Sequence, residues 1–140
     1  MRDGVALQRY LHRHIETGLP GHSFTAAHWQ QVLVLPAYRE APALLQTLTQ
    51  LPAAQSRSLV ILVLNRPDAD SDPQANAELR TAIVDSPLPR AQRCTVSIHC
   101  LNPHTDLYLL DMEALYGPTP AALGVGLARK TGCDLAVQWR

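Results

Sequence analysis

The chain has 140 residues, enough for one domain with a real core. Hydrophobic residues make up 46% and charged residues 17%, a balance that argues against a disordered tail. The formal net charge is +0, so no long-range field draws the protein to nucleic acid or to an acidic membrane, and nucleic-acid binding is not expected.

Residues 5 to 17 read as a helix, with Leu7, Tyr10, Leu11, His14 and Ile15 at three- and four-residue spacing and Gly18, Pro20 and Gly21 as its stop. The first strand is Val32-Leu33-Val34-Leu35, which has no polar alternation. Such a run suits a central parallel strand buried on both faces, ended by Pro36. A helix follows Pro42, with Leu44, Leu45, Leu48 and Leu51 on one stripe before Pro52. Leu59 to Leu64 is a second buried strand, and it empties into the polar loop from Asn65 to Asp72. Pro73 suits a helix start, Leu79, Ala82 and Ile83 give that helix its apolar face, and Pro87 and Pro89 close it. In the next strand Cys94, Val96, Ile98 and Cys100 share one face, and Thr95, Ser97 and His99 share the other. Asn102 to Thr105 makes the turn into a strand from Leu107 to Met112. Thr119-Pro120 opens a last helix, and Gly132 fits its C-terminal cap.

The order of elements predicts an α/β fold, three-layer, with a mostly parallel sheet and flanking helices. Residues 1–30 form an N-terminal helix and linker, and 31–140 form the main unit. No run approaches the roughly 18 apolar residues that span a bilayer, so no transmembrane segment is expected. The opening Met1-Arg2-Asp3-Gly4 leads into no apolar stretch like a signal peptide. Cys94, Cys100 and Cys133 show no Cys-x-x-Cys spacing and suit a reducing, cytoplasmic compartment.

Ligands of parallel sheets bind beyond the carboxyl ends of the strands. Polar groups gather there in this sequence: Tyr38, Arg39 and Glu40 after the first strand, Asn65 and Asp68 after the second, Asp111 and Glu113 after the last. Val32 to Glu40, VLVLPAYRE, resembles the opening of family 2 glycosyltransferases of the GT-A fold, whose first strand ends in a Pro-Ala-Tyr-Asn-Glu type sequence. Arg39 departs from it, since asparagine is common there. Gly124 to Ala136, GVGLARKTGCDLA, is similar to the later segment of that family that carries Ala-Arg-Asn-Gly or Ala-Arg-Lys-x-Gly.

The resemblance implies a Rossmann-like fold of the nucleotide-diphospho-sugar transferase type, incomplete here, and an inverting glycosyltransferase as the full-length enzyme. It implies that Pro36, Ala37 and Tyr38 shape a base pocket, that Glu40 accepts hydrogen bonds from ribose hydroxyls, and that Asn65 or Asp68 faces the edge of the base. It implies that Arg129 and Lys130 meet the diphosphate, whose oxygens suit a guanidinium fork and an ammonium. The implied donor is a nucleotide-diphosphate sugar, a UDP-sugar by family habit, and the acceptor is unknown. Family members carry an Asp-x-Asp strand after the Arg-Lys segment that holds a divalent metal, manganese or magnesium, and a catalytic carboxylate later still. The chain stops at Arg140, about where that strand would begin, so the expectation is a cut or remnant form that holds no metal and has little activity alone.

Other motifs are weaker. Asp68, Asp70 and Asp72 alternate like the start of a calcium loop, but Pro73 and Leu79 stand where such a loop needs glycine and a carboxylate. Asp111 follows an apolar strand, as a metal ligand or as a carboxylate capping the next loop. Gly124-x-Gly126 is only a fragment of a dinucleotide fingerprint. His12, His14, His22, His28, His99 and His104 form no metal-ligand spacing. A missing half would leave an apolar face uncovered, so a homo-oligomer is a further expectation. The alternatives to an enzyme portion are a non-catalytic nucleotide-binding module and a protein-interaction module.

Overall fold

A computed structural model describes residues 2–16, 19, 29–52, 57–91, 96–120 and 122–139. The elements in chain order are α1 (Arg2–Arg13), β1 (Gln31–Ala37), α2 (Ala43–Thr49), β2 (Ser58–Leu64), α3 (Ala77–Val84), β3 (His99–Asn102), β4 (Thr105–Asp111), α4 (Met112–Tyr116) and α5 (Gly124–Gln138). The four strands form one sheet in the order β1-β2-β4-β3. β1, β2 and β4 run parallel, and β3 returns antiparallel on β4 through the turn at Pro103 and His104. The fold is therefore α/β, with a mostly parallel mixed sheet and helices on both of its faces.

β2 lies between two strands and under helices on either side, so every residue from Leu59 to Leu64 is buried. Its alternation splits the core. Val60, Leu62 and Leu64 pack with Leu48, Leu79 and Ile83 of α2 and α3. Leu59, Ile61 and Val63 pack with Ala128 and Leu135 of α5 and with Trp139. Among the described residues no helix is long and apolar enough to cross a membrane.

Four sequence expectations are corrected here. β1 is an edge strand, with Val32 40% and Leu33 47% exposed; only its carboxyl half lies under helices. Pro36 does not end it. Ala37 accepts a hydrogen bond from Asn65 N–H at 3.1 Å, so in a parallel ladder Leu33 and Leu35 also face β2, and Val32, Val34 and Pro36 turn outward. The ring's missing N–H thus falls on the open edge, where it costs no ladder bond. The last helix starts at Gly124 rather than at Thr119, whose backbone is used in a bridge to Pro67. Gly132 is not a cap: it lies mid-helix, where an added Cβ would sit 2.4 Å from Val34 Cγ1 and 2.9 Å from Val63 Cγ2. Its missing side chain lets α5 approach the sheet.

Of the strand predicted from Cys94, Cys94 and Thr95 lie outside the described residues, Val96 to Ile98 are described and are not strand, and β3 begins at His99. Cys100 is half-buried and Cys133 is exposed. His99 is buried, and Arg90 Nη1 donates to its Nδ1 at 2.6 Å. A guanidinium only donates, so Nδ1 keeps its lone pair and the ring proton sits on Nε2. Burial first, and the Arg90 charge second, lower the His99 pKa to about 4.

Candidate functional site

The carboxyl ends of β1, β2 and β4 come out on one edge of the sheet, and the loops leaving them are tied together by side chains. Tyr38 donates its hydroxyl proton to Asp70 Oδ2. Arg39 Nε donates to the same oxygen at 2.8 Å, and its Nη2 lies 2.8 Å from it. The guanidinium also stands 5.7 Å from the centre of the Tyr38 ring. The Tyr38 hydroxyl, the Asp72 N–H and the Arg39 charge together hold the Asp70 carboxyl below its ordinary range. Asp70 accepts from Asp72 N at 3.0 Å and Asp72 from Gln74 N at 2.9 Å, two Asx turns that shape the loop before α3.

Arg39 has a φ of 53°, the only positive value among the described non-glycine residues. A left-handed arginine persists where its surroundings fix it. Here Asn76 does so: its Oδ1 accepts from Arg39 N at 3.0 Å, while its Nδ2 donates to the Asn65 carbonyl at 2.9 Å. Asn76 is buried, and it clamps the exit of β1 to the exit of β2. Beside this clamp lies an open cleft of about 380 Å³ lined by Arg39, Glu40, Ala41, Asp72, Gln74, Ala75 and Glu78. Its carboxylates outnumber its one cation. Such a lining suits hydroxyl and amide donors, and repels phosphate placed directly on it.

A second network lies at the end of β4. Arg80 Nε donates to Asp111 Oδ2 at 2.6 Å and its Nη2 to Glu113 Oε2 at 3.1 Å, while Arg66 pairs with the other oxygen of Glu113. Asp111 Oδ1 accepts from Ala114 N at 3.2 Å and so caps α4, a short helix that the sequence reading did not include. Of the two readings of Asp111, capping is the one its contacts describe. The other reading, Asp111 as a metal ligand, does not fit: two guanidiniums occupy the faces of Asp111 and Glu113 that a cation would need. Among the described residues no group of three or more His, Cys, Asp or Glu side chains is placed to hold a metal ion.

The expected site residues fall into two sets. Tyr38, Glu40, Asn65 and Asp68 stand on the two clamped exits. Ala37 is buried in the core under α2, and Pro36 is half-buried beside it. Asn65 is buried, and Asp68 is exposed with its N–H bonded to the Thr119 carbonyl at 2.8 Å, which draws the segment before α5 to the exit of β2. No hydrogen bond or ion pair joins Arg129 or Lys130 to any of these residues. Arg129 is exposed on α5 and makes no ion pair with the described residues. Lys130 turns toward the segment after α1, reaching Glu16 Oε1 at 3.1 Å, and toward Asp134 Oδ2 at 2.6 Å. Asn76, Arg66 and Arg80 were not among the expected site residues, and Asp70 figured only in the failed calcium pattern. A polar residue directly before the apolar helix, as Asn76 is, was the one available signal.

No family model, no curated protein and no solved structure matches this chain.

Proposed function

We propose that the chain is the nucleotide-binding portion of a GT-A-type family 2 glycosyltransferase, an inverting enzyme that moves a sugar from a nucleotide-diphosphate donor to an acceptor hydroxyl in the cytoplasm. One observation carries the reading. Two parallel strands lead into loops that line one polar cleft at the carboxyl edge of the sheet, Arg39 to Ala41 after β1 and Asp72, Gln74 and Ala75 after β2. That is where an open α/β sheet takes its ligand.

In this reading Glu40, which lines the cleft, accepts from ribose hydroxyls, and Tyr38 and the exposed Asp68 border the base; Ala37 and Asn65 are buried and support the two exits from behind. The carboxylate-rich cleft takes the nucleoside, and the phosphates lie away from it, toward the exposed Arg129. A UDP-sugar is the donor that the VLVLPAYRE resemblance favours. A second reading, a nucleotide-binding module without catalysis, draws on the arginine pairs that occupy Asp111 and Glu113.

Calorimetry with UDP, with and without manganese, tests both. Binding is expected in either buffer, and Glu40→Ala should weaken it about tenfold or more, as loss of a hydrogen bond to a charged acceptor does. No heat at millimolar UDP would end the nucleotide reading. A reading frame that continues past Arg140 into an Asp-x-Asp strand separates a portion of an enzyme from a binding module.

A further inference from the structure

Lys130 is the only lysine of the chain. An ammonium has three protons to donate, and all three have acceptors here: the His14 carbonyl at 2.8 Å, Glu16 Oε1 at 3.1 Å and Asp134 Oδ2 at 2.6 Å. Two of these acceptors belong to the residues just after α1. Asp134 is the hub. It is 1% exposed, and besides Lys130 it accepts from the Tyr10 hydroxyl and from Glu16 N–H at 2.9 Å. An ammonium saturated in this way has no proton left for a phosphate oxygen.

The described ties of α1 and of the residues just after it are polar. None of its described side chains belongs to either core, and Val5 is 62% exposed. A helix whose described ties are hydrogen bonds at one end opens at less cost than the body of the fold. We infer that α1 with residues 14–16 forms a releasable clasp on Lys130, which occupies its ammonium against anionic ligands while docked and frees it for them when lifted. Lys130 is itself exposed, so the clasp acts by occupying its protons rather than by covering it; partial burial lowers its pKa, but the bonds to Asp134 and Glu16 outweigh that and raise the value above that of an ordinary lysine. Asp134 lies on α5 and stays with Lys130 when α1 lifts, so the clasp's own share of this rise is the Glu16 bond. The inference rests on the nucleotide reading only for the identity of the anion, a diphosphate.

The test uses the full chain and trace acetylation by an N-hydroxysuccinimide ester. Lys130 is the single side-chain amine, and the terminal amine serves as internal reference. The variants are Tyr10→Phe, Glu16→Gln and the two combined, each checked for a native circular dichroism spectrum. The combined variant should acetylate at Lys130 at least about fivefold faster than the parent, the factor that one lost hydrogen bond of ordinary net strength gives. An unchanged rate in folded variants overturns the clasp. A second arm titrates UDP into the same proteins. Faster acetylation with tighter UDP binding supports clasp and ligand together. Faster acetylation with no UDP heat keeps the clasp and removes the nucleotide reading. Unchanged acetylation with UDP heat does the reverse.

Discussion

Gly132→Ala probes the contact that seats α5 on the sheet. Of the described glycines, only Gly132 has a neighbour within 4 Å of an ideal Cβ. The two distances, 2.4 Å to Val34 Cγ1 and 2.9 Å to Val63 Cγ2, fall well short of the 3.5–4.0 Å at which carbon atoms rest in contact. The helix must therefore retreat by roughly 1 Å, or two valines must leave their rotamers, and β-branched side chains are stiff at χ1. Overpacking of this kind costs about 1–3 kcal/mol. Alanine returns about 1 kcal/mol of helix propensity over glycine. Because both obstructing methyls sit on strands fixed by the ladder, the clash should win, and urea unfolding should show a net loss of about 1–2 kcal/mol with an unchanged slope. Val34→Ala removes the nearer methyl, so the double variant should recover part of the loss, with a coupling energy of about 1 kcal/mol. If Gly132→Ala stabilises the protein, as at an exposed helical glycine, the close approach is refuted.

Three further outcomes follow from the described contacts. Arg39→Asn should raise the melting temperature by a few degrees, because a left-handed arginine carries roughly 1–2 kcal/mol of backbone strain that asparagine largely escapes, and the half-exposed ion pair it gives up is worth less; a lower melting temperature would mean that the Asp70 contacts outweigh the strain. His99 should make stability fall as pH drops from about 6.5 to about 4, since the unfolded ring gains a proton in that window and the folded ring does not, a loss of up to about 3 kcal/mol that is complete below pH 4. His99→Gln should flatten that part of a stability-against-pH curve, and an unaltered slope would assign the effect elsewhere. Arg80→Met should cost about 1–3 kcal/mol in denaturant unfolding by leaving Asp111 and Glu113 facing each other with one arginine fewer, and Arg80→Lys should restore only part of it, for want of the planar fork; equal stability of all three would show the network to be inert.

Elements whose neighbours are local were legible in the sequence, and their arrangement was not. The run from Leu59 to Leu64 announced a buried strand, and it is one. Val32 to Leu35 has the same apolar texture and lies at an edge, because a continuous apolar run records a strand but not how many strands flank it. Gly132 followed a helical stretch and looked like its cap, since sequence cannot distinguish a glycine needed for a turn from one needed for close approach. The polar exits after β1 and β2 were visible as candidate ligand positions, and the structure clamps them together. Arg129 and Lys130 were paired only by adjacency. On a helix, neighbours point about 100° apart, and Lys130 found partners in a segment more than a hundred positions earlier, which no local pattern encodes.

The outward turn of Pro36 sets a limit on how this sheet can grow. Among the described strands β1 has one side open, and Val32 and Val34 each hold a donor and an acceptor toward it, with apolar side chains between. An extended segment arriving there finds rungs for the amino-terminal half of the strand. Two residues further on it meets a ring with nothing to donate, and the ladder runs out short of Tyr38. The proline so keeps strand addition, wanted or accidental, from reaching the loops that border the cleft.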